Sequence, residues 1–391
     1  MKITVKFFLL TVLIILHVPS YAQIQKPQKE GVEWVKDSIR SVVLKETVKF
    51  HIYLPDAYKE TDERFSVLYT YYTPFMPAAF HIQTGTVNIL NAFRMMPKSI
   101  IIGFESNDVR RDLTPTPSPG YGPTSGGAGK YLQFMETELF PYTEKQYRTS
   151  SQRILYAHSI GGAFCLYALL SKPAMFQTVI ASSPWFIYDK EEKYLLKSAE
   201  TFFKKRTTEK NSLFITIGNE PELMPGFDEF TNIIERQKPN GLTLKFTKSL
   251  KDDHMTITAN ALMEGLRTVF ANWPADKWLA NIFHKQGLAA MLEEFKRLCT
   301  TDKEQNFLDQ ESVSYLANQL VMEKRFNEAI EVLKLNVEMF PEITGTFRIL
   351  AWGYMQAGNR DMAIKTYEKM LERYPNDQLA KDRLKVLKEG K

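Results

Sequence analysis

Several short runs in this chain are too apolar to lie half exposed. Ser99–Phe104, Arg153–Ala157, Thr178–Ala181 and Leu213–Ile217 are built largely from Ile, Val, Leu, Phe, Tyr and Ala, so they have no polar face to turn to water. Such strands belong in the centre of a mostly parallel sheet covered on both sides. Val48–Leu54, Ser66–Tyr72 and Leu244–Leu250 complete the predicted set. Helical patterns such as Tyr131–Tyr147, Gly161–Leu170 and Met255–Phe270 fall between them. The alternation, from about Ile39 to Phe270, predicts an α/β fold.

Beyond about Pro274 the strand signal stops and only helical patterns remain, so a chain of 391 residues divides into two folded parts. Ala329 and Ala363 stand 34 residues apart, as do Pro341 and Pro375. That period is the tetratricopeptide spacing. Phe347, Leu350, Tyr354, Ala363, Tyr367 and Pro375 fill the small and large positions of one unit. Leu316, Leu320, Ala329, Leu333 and Pro341 fill those of a looser one, and Leu379–Leu387 is the terminal helix. Two units are fewer than such stacks need, so Asp276–Leu298 is expected to pack between the repeats and the α/β part. The division predicted is 1–22, 23–275 and 276–391, the last an all-α repeat domain with a protein partner as its expected ligand.

Residues 1–22 read as an export signal. A basic start (Lys2, Lys6) precedes an apolar run from Phe7 to Val18, and Pro19-Ser20-Tyr21-Ala22 places small residues before Gln23. That is the order of a cleavable secretory signal, and the run is shorter than the ~20 residues a spanning helix needs. The expected location is periplasmic or secreted, with no stable membrane insertion after cleavage. Net charge is +5, and loss of Lys2 and Lys6 leaves about +3, too little to argue for nucleic acid. Two cysteines, Cys165 and Cys299, make no disulfide framework, and no Cys/His cluster has zinc spacing. Gly126-Gly127-Ala128-Gly129-Lys130 ends a Pro/Gly/Ser/Thr-rich stretch from Arg111, but Thr124 and Tyr131 break the phosphate-loop pattern. No metal and no cofactor are expected.

Ala157-His158-Ser159-Ile160-Gly161-Gly162 follows an apolar strand and opens an apolar helix. A strand-to-helix elbow strains the backbone at a nucleophilic serine and needs small residues two positions to either side; Ala157 and Gly161 meet that need. Ser159 then stands at the carboxyl end of the sheet, with the Ile160 N–H placed to stabilise an oxyanion. In this arrangement the acid and the histidine follow the serine in the chain. His254, after a strand and before a helix, is favoured as general base over His284, which lies in a helical run. Glu220, in Gly218-Asn219-Glu220-Pro221-Glu222 at the end of a strand, is the first choice of acid. Glu222 and Asp228 are alternatives, and Asp252 or Asp253 stands beside His254.

On these residues the sequence resembles the esterase family of the α/β-hydrolases that includes siderophore, esterase D-like, feruloyl and acetyl-xylan esterases and the mycolyltransferases. The likeness runs from about Ser38 to Phe270. It includes Tyr53-Leu54-Pro55, Ile101-Ile102-Gly103, Arg111-Asp112-Leu113-Thr114-Pro115, Glu138-Leu139-Phe140-Pro141 and Tyr147-Arg148-Thr149. It continues through His158–Gly162, Ser183-Pro184-Trp185, Gly218-Asn219-Glu220 and Asp253-His254. The resemblance implies an α/β-hydrolase fold and a serine esterase, nearest to the siderophore-esterase side, and supports Glu220 as acid. The family has Asp-Gly after its second apolar strand, as a further source of oxyanion N–H. Here the stretch is Tyr71-Tyr72-Thr73-Pro74. Proline has no N–H, so Tyr72 or Thr73 is the expected donor beside Ile160.

Tyr71, Tyr72, Phe75, Trp185 and Phe186 are candidates to line an acyl or aryl pocket, and Arg110 and Arg111 to meet an anionic group of the substrate. The alternative for the arginines is ion pairing with Asp108 or Asp112. The reading is a hydrolase of a small-molecule carboxylic ester working through an acyl-enzyme. Its rivals are an acyltransferase on the same residues and an inactive hydrolase-fold protein that binds through its repeats.

Overall fold

A computed structural model describes residues 34–60, 64–73, 77–189, 193–204, 210–271, 275–301 and 310–389. The export signal, Pro74 and Phe75 lie outside the described residues. Eight strands form one sheet: β1 (Trp34–Arg40), β2 (Thr47–Tyr53), β3 (Phe65–Tyr71), β4 (Ser99–Phe104), β5 (Thr149–His158), β6 (Thr178–Ser182), β7 (Asn211–Ile217) and β8 (Leu242–Lys248). Their order is β1-β2-β4-β3-β5-β6-β7-β8. The pairings β1/β2 and β2/β4 are antiparallel and the remaining ones parallel. The seven predicted strands are present. β1 is the addition: it is an edge strand with alternating half-buried and exposed residues, so it lacks the continuous apolar run that marks the others.

Short helices α1 (Ala57–Glu60), α3 (Val109–Leu113), α4 (Ala128–Phe134) and α5 (Phe140–Gln146) accompany α2 (Pro77–Ala92), α6 (Ile160–Ser171), α7 (Tyr194–Lys204), α8 (Met224–Gln237) and α9 (Ile257–Val269). On one face α9 lies over β6 and β7 and packs against α2. The approach is close enough that a Cβ on Gly265 would stand 2.7 Å from Ile180. On the other face α6 lies over β5 and β6, joined by α3, α4 and α7. Val67, Tyr69, Ile102, Leu155, Val179 and Ile215 fill the space beneath it. The central strands are thus covered on both sides, as their composition requires.

The chain moves from β3 outward to β4 and then crosses back to β5 on the other side of β3. Parallel strands that diverge in this way leave a crevice at their carboxyl ends. Ser159 follows β5 and Thr73 follows β3, so the crevice lies between them.

The remaining described helices are α10 (Ala275–Gln286), α11 (Leu288–Thr301), α12 (Gln310–Met322), α13 (Phe326–Met339), α14 (Thr344–Gln356), α15 (Arg360–Arg373) and α16 (Gln378–Glu389). They form an all-helical region with its own core, in which Ala317, Ala329, Leu333, Ala351 and Ala363 are fully buried. Residues at the starts of α12 and α14, Gln310 and Thr344, are 34 apart, as are Phe326 and Arg360 at those of α13 and α15. α10 and α11 pack on each other and on α12 and α13, so they lengthen this stack. A described link to the α/β part runs from the end of α2 to α12. Arg94 donates to the Ser312 hydroxyl at 3.1 Å and lies over the Tyr315 ring at 5.2 Å. No helix among the described residues is long and apolar enough to cross a membrane.

Candidate active site

The elbow at Ser159 is strained and fixed from several sides. Its φ of 59° and ψ of −122° are unfavourable for a residue with a side chain. The Ser159 N–H donates to Ser182 O at 2.9 Å, and its carbonyl accepts from Ala163 N at 3.1 Å and Trp185 N at 3.0 Å. Nothing larger than the residues present would fit: a Cβ on Gly161 would stand 2.7 Å from the Cβ of Ala157. The turn leaves the Ser159 hydroxyl over the N-terminus of α6, where free N–H groups and the helix dipole favour negative charge.

His254 comes from the loop between β8 and α9, and Glu220 from the loop after β7. Nε2 of His254 lies 2.9 Å from Ser159 Oγ, and Nδ1 is hydrogen-bonded to Glu220 Oε2. A carboxylate only accepts, so Nδ1 carries the proton and Nε2 is left free to accept from the serine. Three residues 95 and 34 positions apart in pairs are thereby joined in one hydrogen-bonded line.

Glu220 is 2% exposed. Its second oxygen, Oε1, accepts from Ser183 Oγ at 2.5 Å and from the Gly218 N–H at 3.0 Å. Burial alone would raise its pKa, but the hydrogen bonds from His254, Ser183 and Gly218 together hold it below the ordinary glutamate value. The competing carboxylates are occupied elsewhere. Asp253 accepts from the N–H groups of Met255 at 2.9 Å and Thr256 at 2.8 Å. Asp252 accepts from Ser249 Oγ at 2.5 Å and from Asn260. Asp228 pairs with Lys248 at 2.5 Å, and Glu222 is exposed. His284 is exposed on α10, far down the chain from the sheet.

Ser183 is the residue sequence reasoning passed over. Its φ of 40° turns the chain sharply after β6, and its side chain is fully buried on Glu220. His158 is a second supporting group. Its ring centroid is 4.5 Å from that of His254, and Nδ1 lies 3.2 Å from Ser182 Oγ. Burial first, then the neighbouring His254, push its pKa down to about 3 against the opposing pull of Glu220. His158 therefore stays neutral and adds no charge beside the base.

The cavity over Ser159 measures about 300 Å³ and is lined by Tyr71, Thr73, Ile82, Val109, Ile160 and Met255 among others. Two sequence-level assignments change here. Tyr72 is not an oxyanion donor: its N–H is spent on Phe104 O at 2.8 Å, because the β3/β4 pairing continues one residue past β3. Its ring is stacked on His51 at 3.9 Å, in a cluster with Trp34 and Phe80. Thr73, which lines the cavity, is left as the donor candidate beside Ile160. Arg111 is not a substrate contact. Its guanidinium holds Asp112 at 2.7 and 2.9 Å and Glu46 with its other edge, which is the ion-pair alternative. Asp112 is 1% exposed, so burial drives its pKa up and Arg111 is the counter-charge that permits it there. Tyr71 lines the cavity as expected, while Trp185 stands edge-on to the His254 ring at 5.6 Å.

Comparison with known proteins finds esterases. The model of the "Putative esterase" family matches residues 41–256. The chain is 38% identical over 96 residues to the ferri-bacillibactin esterase BesA of Bacillus subtilis, a match covering 24% of this chain and 32% of that protein. It is 25% identical over 207 residues to the siderophore triacetylfusarinine C esterase of Aspergillus fumigatus, covering 46% of this chain and 68% of that one. An IroE-like serine hydrolase from Shewanella oneidensis superposes with a TM-score of 0.61 at 22% identity, over 78% of this chain and 99% of that structure. At that identity the likeness speaks for the fold.

Proposed function

The chain belongs to this esterase family, and from that premise we propose that it hydrolyses carboxylic esters with Ser159 as nucleophile, His254 as general base and Glu220 as the acid that orients it. The observation that carries the reading is the continuous line from Ser159 Oγ through both nitrogens of His254 to a buried, ionised Glu220.

In this mechanism Ser159 gives its proton to Nε2 as Oγ bonds to the ester carbonyl carbon. The oxyanion is received by the N–H groups of Ile160 and Thr73. The carbon–oxygen bond to the alcohol then breaks, and Nε2 returns its proton to the leaving oxygen. Water attacks the acyl-enzyme by the same route, with His254 taking its proton. Cleavage of the bond to Oγ frees the acid and restores the serine. Glu220 keeps its charge throughout and stabilises the imidazolium formed in each half. Siderophore-type esters are the substrate class we favour, because the matched relatives from Bacillus subtilis and Aspergillus fumigatus act on such esters. We place the mature protein in the periplasm or outside the cell, on the reading of residues 1–22, and give helices α12–α16 the role of tetratricopeptide-like repeats that receive a protein partner.

The test is fluorophosphonate labelling of wild type, Ser159→Ala and His254→Ala, with p-nitrophenyl acetate and butyrate turnover in parallel. Labelling and turnover lost in both variants support the reading. A folded wild-type protein that neither labels nor turns over overturns it.

A further inference from the structure

The turn that ends β3 rests on a buried polar pair that the triad does not use. His51 on β2 stands opposite Gly103 on β4. With no side chain at 103, the space beside His51 is open, and the Phe80 and Tyr72 rings occupy it. A Cβ on Gly103 would stand 2.6 Å from the Phe80 ring and 3.3 Å from the Tyr72 Cβ. The Tyr72 ring lies on the His51 imidazole, centroids 3.9 Å apart and planes 28° from parallel. Nε2 of His51 is 2.7 Å from Oε1 of Glu105, the residue after β4. Glu105 is fixed in turn. Its N–H donates to Lys49 O at 2.9 Å, and its carbonyl accepts from the Tyr131 hydroxyl at 2.5 Å.

Packing alone does not account for this pair. His51 is buried, and its Nδ1 has no partner among the described residues. A buried polar nitrogen left unpaired is costly, and an apolar ring would fill the same space without that cost. What the hydrogen-bonded imidazole adds is a defined ring plane. Rotation about the bond that carries an aromatic ring is otherwise broad. The Glu105 contact stops it for His51, and the stack passes the restriction to Tyr72. Tyr72 in turn bears on its neighbour. Its N–H points to β4, where it meets Phe104 O. Successive N–H groups of an extended chain point to opposite edges. The Thr73 N–H is thereby turned towards the β5 edge, and Ser159 follows β5.

Resting on the reading of Ser159 as nucleophile with Thr73 as second oxyanion donor, we propose that Glu105, His51 and Tyr72 are positioning residues that aim the Thr73 N–H at the oxyanion. None of the three touches the reacting atoms. Glu105 sets the His51 ring, His51 sets the Tyr72 ring, and Tyr72 holds the peptide that carries the donor. The effect is confined to the transition state, because the donor is aimed at charge that develops only there.

The experiment is a mutant cycle in the full chain, read by steady-state hydrolysis of p-nitrophenyl butyrate, with thermal unfolding to confirm each fold. His51→Phe keeps a ring but loses Glu105; Tyr72→Ala removes the stacked ring and Tyr72→Phe keeps it. His51→Phe and Tyr72→Ala should each lower kcat about ten- to hundredfold with KM within about threefold, less than outright loss of a donor. Tyr72→Phe should stay within about threefold of wild type, since the stack survives. Combined with Thr73→Pro, His51→Phe or Tyr72→Ala should change kcat by less than about twofold, because the donor they aim is gone. Should His51→Phe not fold, the Tyr72→Ala and Tyr72→Phe pair makes the same comparison. Lower stability with unchanged kcat, a loss that Tyr72→Phe shares, or effects of full size in the Thr73→Pro background overturn the proposal. Fluorophosphonate labelling separates the two levels. A labelled wild type with additive variants defeats the positioning alone, whereas an unlabelled wild type defeats the serine-esterase reading with it.

Discussion

Replacing Glu220 with glutamine tests the line of hydrogen bonds where it is most sensitive. The substitution keeps size and shape, so its effect is set by charge and by which way the amide turns. The structure decides the second point. Oε1 faces two donors, Ser183 Oγ and the Gly218 N–H, so the amide oxygen settles there and the NH₂ is left facing His254. Nδ1 must then accept, and the ring proton moves to Nε2. In that tautomer His254 cannot receive a proton from Ser159.

The loss of charge adds to the same effect. The His254 side chain is 28% exposed and that of Glu220 2%, which places the pair at the edge of the protein interior. Two unit charges about 4 Å apart at an effective dielectric near 20 attract by about 4 kcal/mol, or roughly three decades in rate when only the transition state carries the imidazolium. The carboxylate-to-amide change in a serine triad, through the wrong tautomer, costs about 10⁴ in kcat. The expectation for Glu220→Gln is a fall in kcat of about 10³ to 10⁴ with KM within about threefold. The assay is steady-state hydrolysis of p-nitrophenyl butyrate, with thermal unfolding to confirm the fold. A folded variant that keeps kcat within tenfold of wild type would refute the assignment. Asp253→Asn is the paired control and is expected to remain active, since that carboxylate is already committed to the N–H groups that open α9.

Thr73→Pro removes the backbone N–H left beside Ile160 and should lower kcat by about 10² to 10³, read in the same assay; unchanged turnover would show that the second oxyanion donor comes from elsewhere. Arg111→Ala should lower the unfolding midpoint without altering KM for a neutral ester, because it strands the buried Asp112 and touches no cavity wall; a raised KM with an unshifted midpoint would restore it to the substrate. The pH dependence of stability follows from Glu220. Its folded pKa is depressed, so its contribution is present above the unfolded value of about 4.3 and is lost as pH falls through the folded one. Urea unfolding at pH 6 and pH 3 should therefore show a smaller acid loss in Glu220→Gln than in wild type, and equal losses would contradict a depressed Glu220 pKa in the folded protein.

How much of this was legible beforehand divides along the range of the interactions. The central strands announce themselves because burial on both faces demands an unbroken apolar run, and the elbow because its strain forces small residues at fixed offsets within six positions. β1 left no such mark, since one of its edges has no strand partner and several of its residues are exposed. The misplaced residues share a different cause. Arg111 lies in a motif that reads the same whether its guanidinium meets a ligand or a carboxylate. What settles it is Glu46, 65 positions earlier in the chain. Tyr72 was a plausible donor until β4 took its N–H, a matter of where one ladder ends. Ser183 is the subtler case. Its segment was recognisable, yet its use depends on a left-handed turn that brings its hydroxyl to a residue 37 positions later. The nucleophile can thus be found from its own surroundings, whereas the groups that tune its acid, and those that shape what it accepts, depend on contacts made only once the sheet has closed around them.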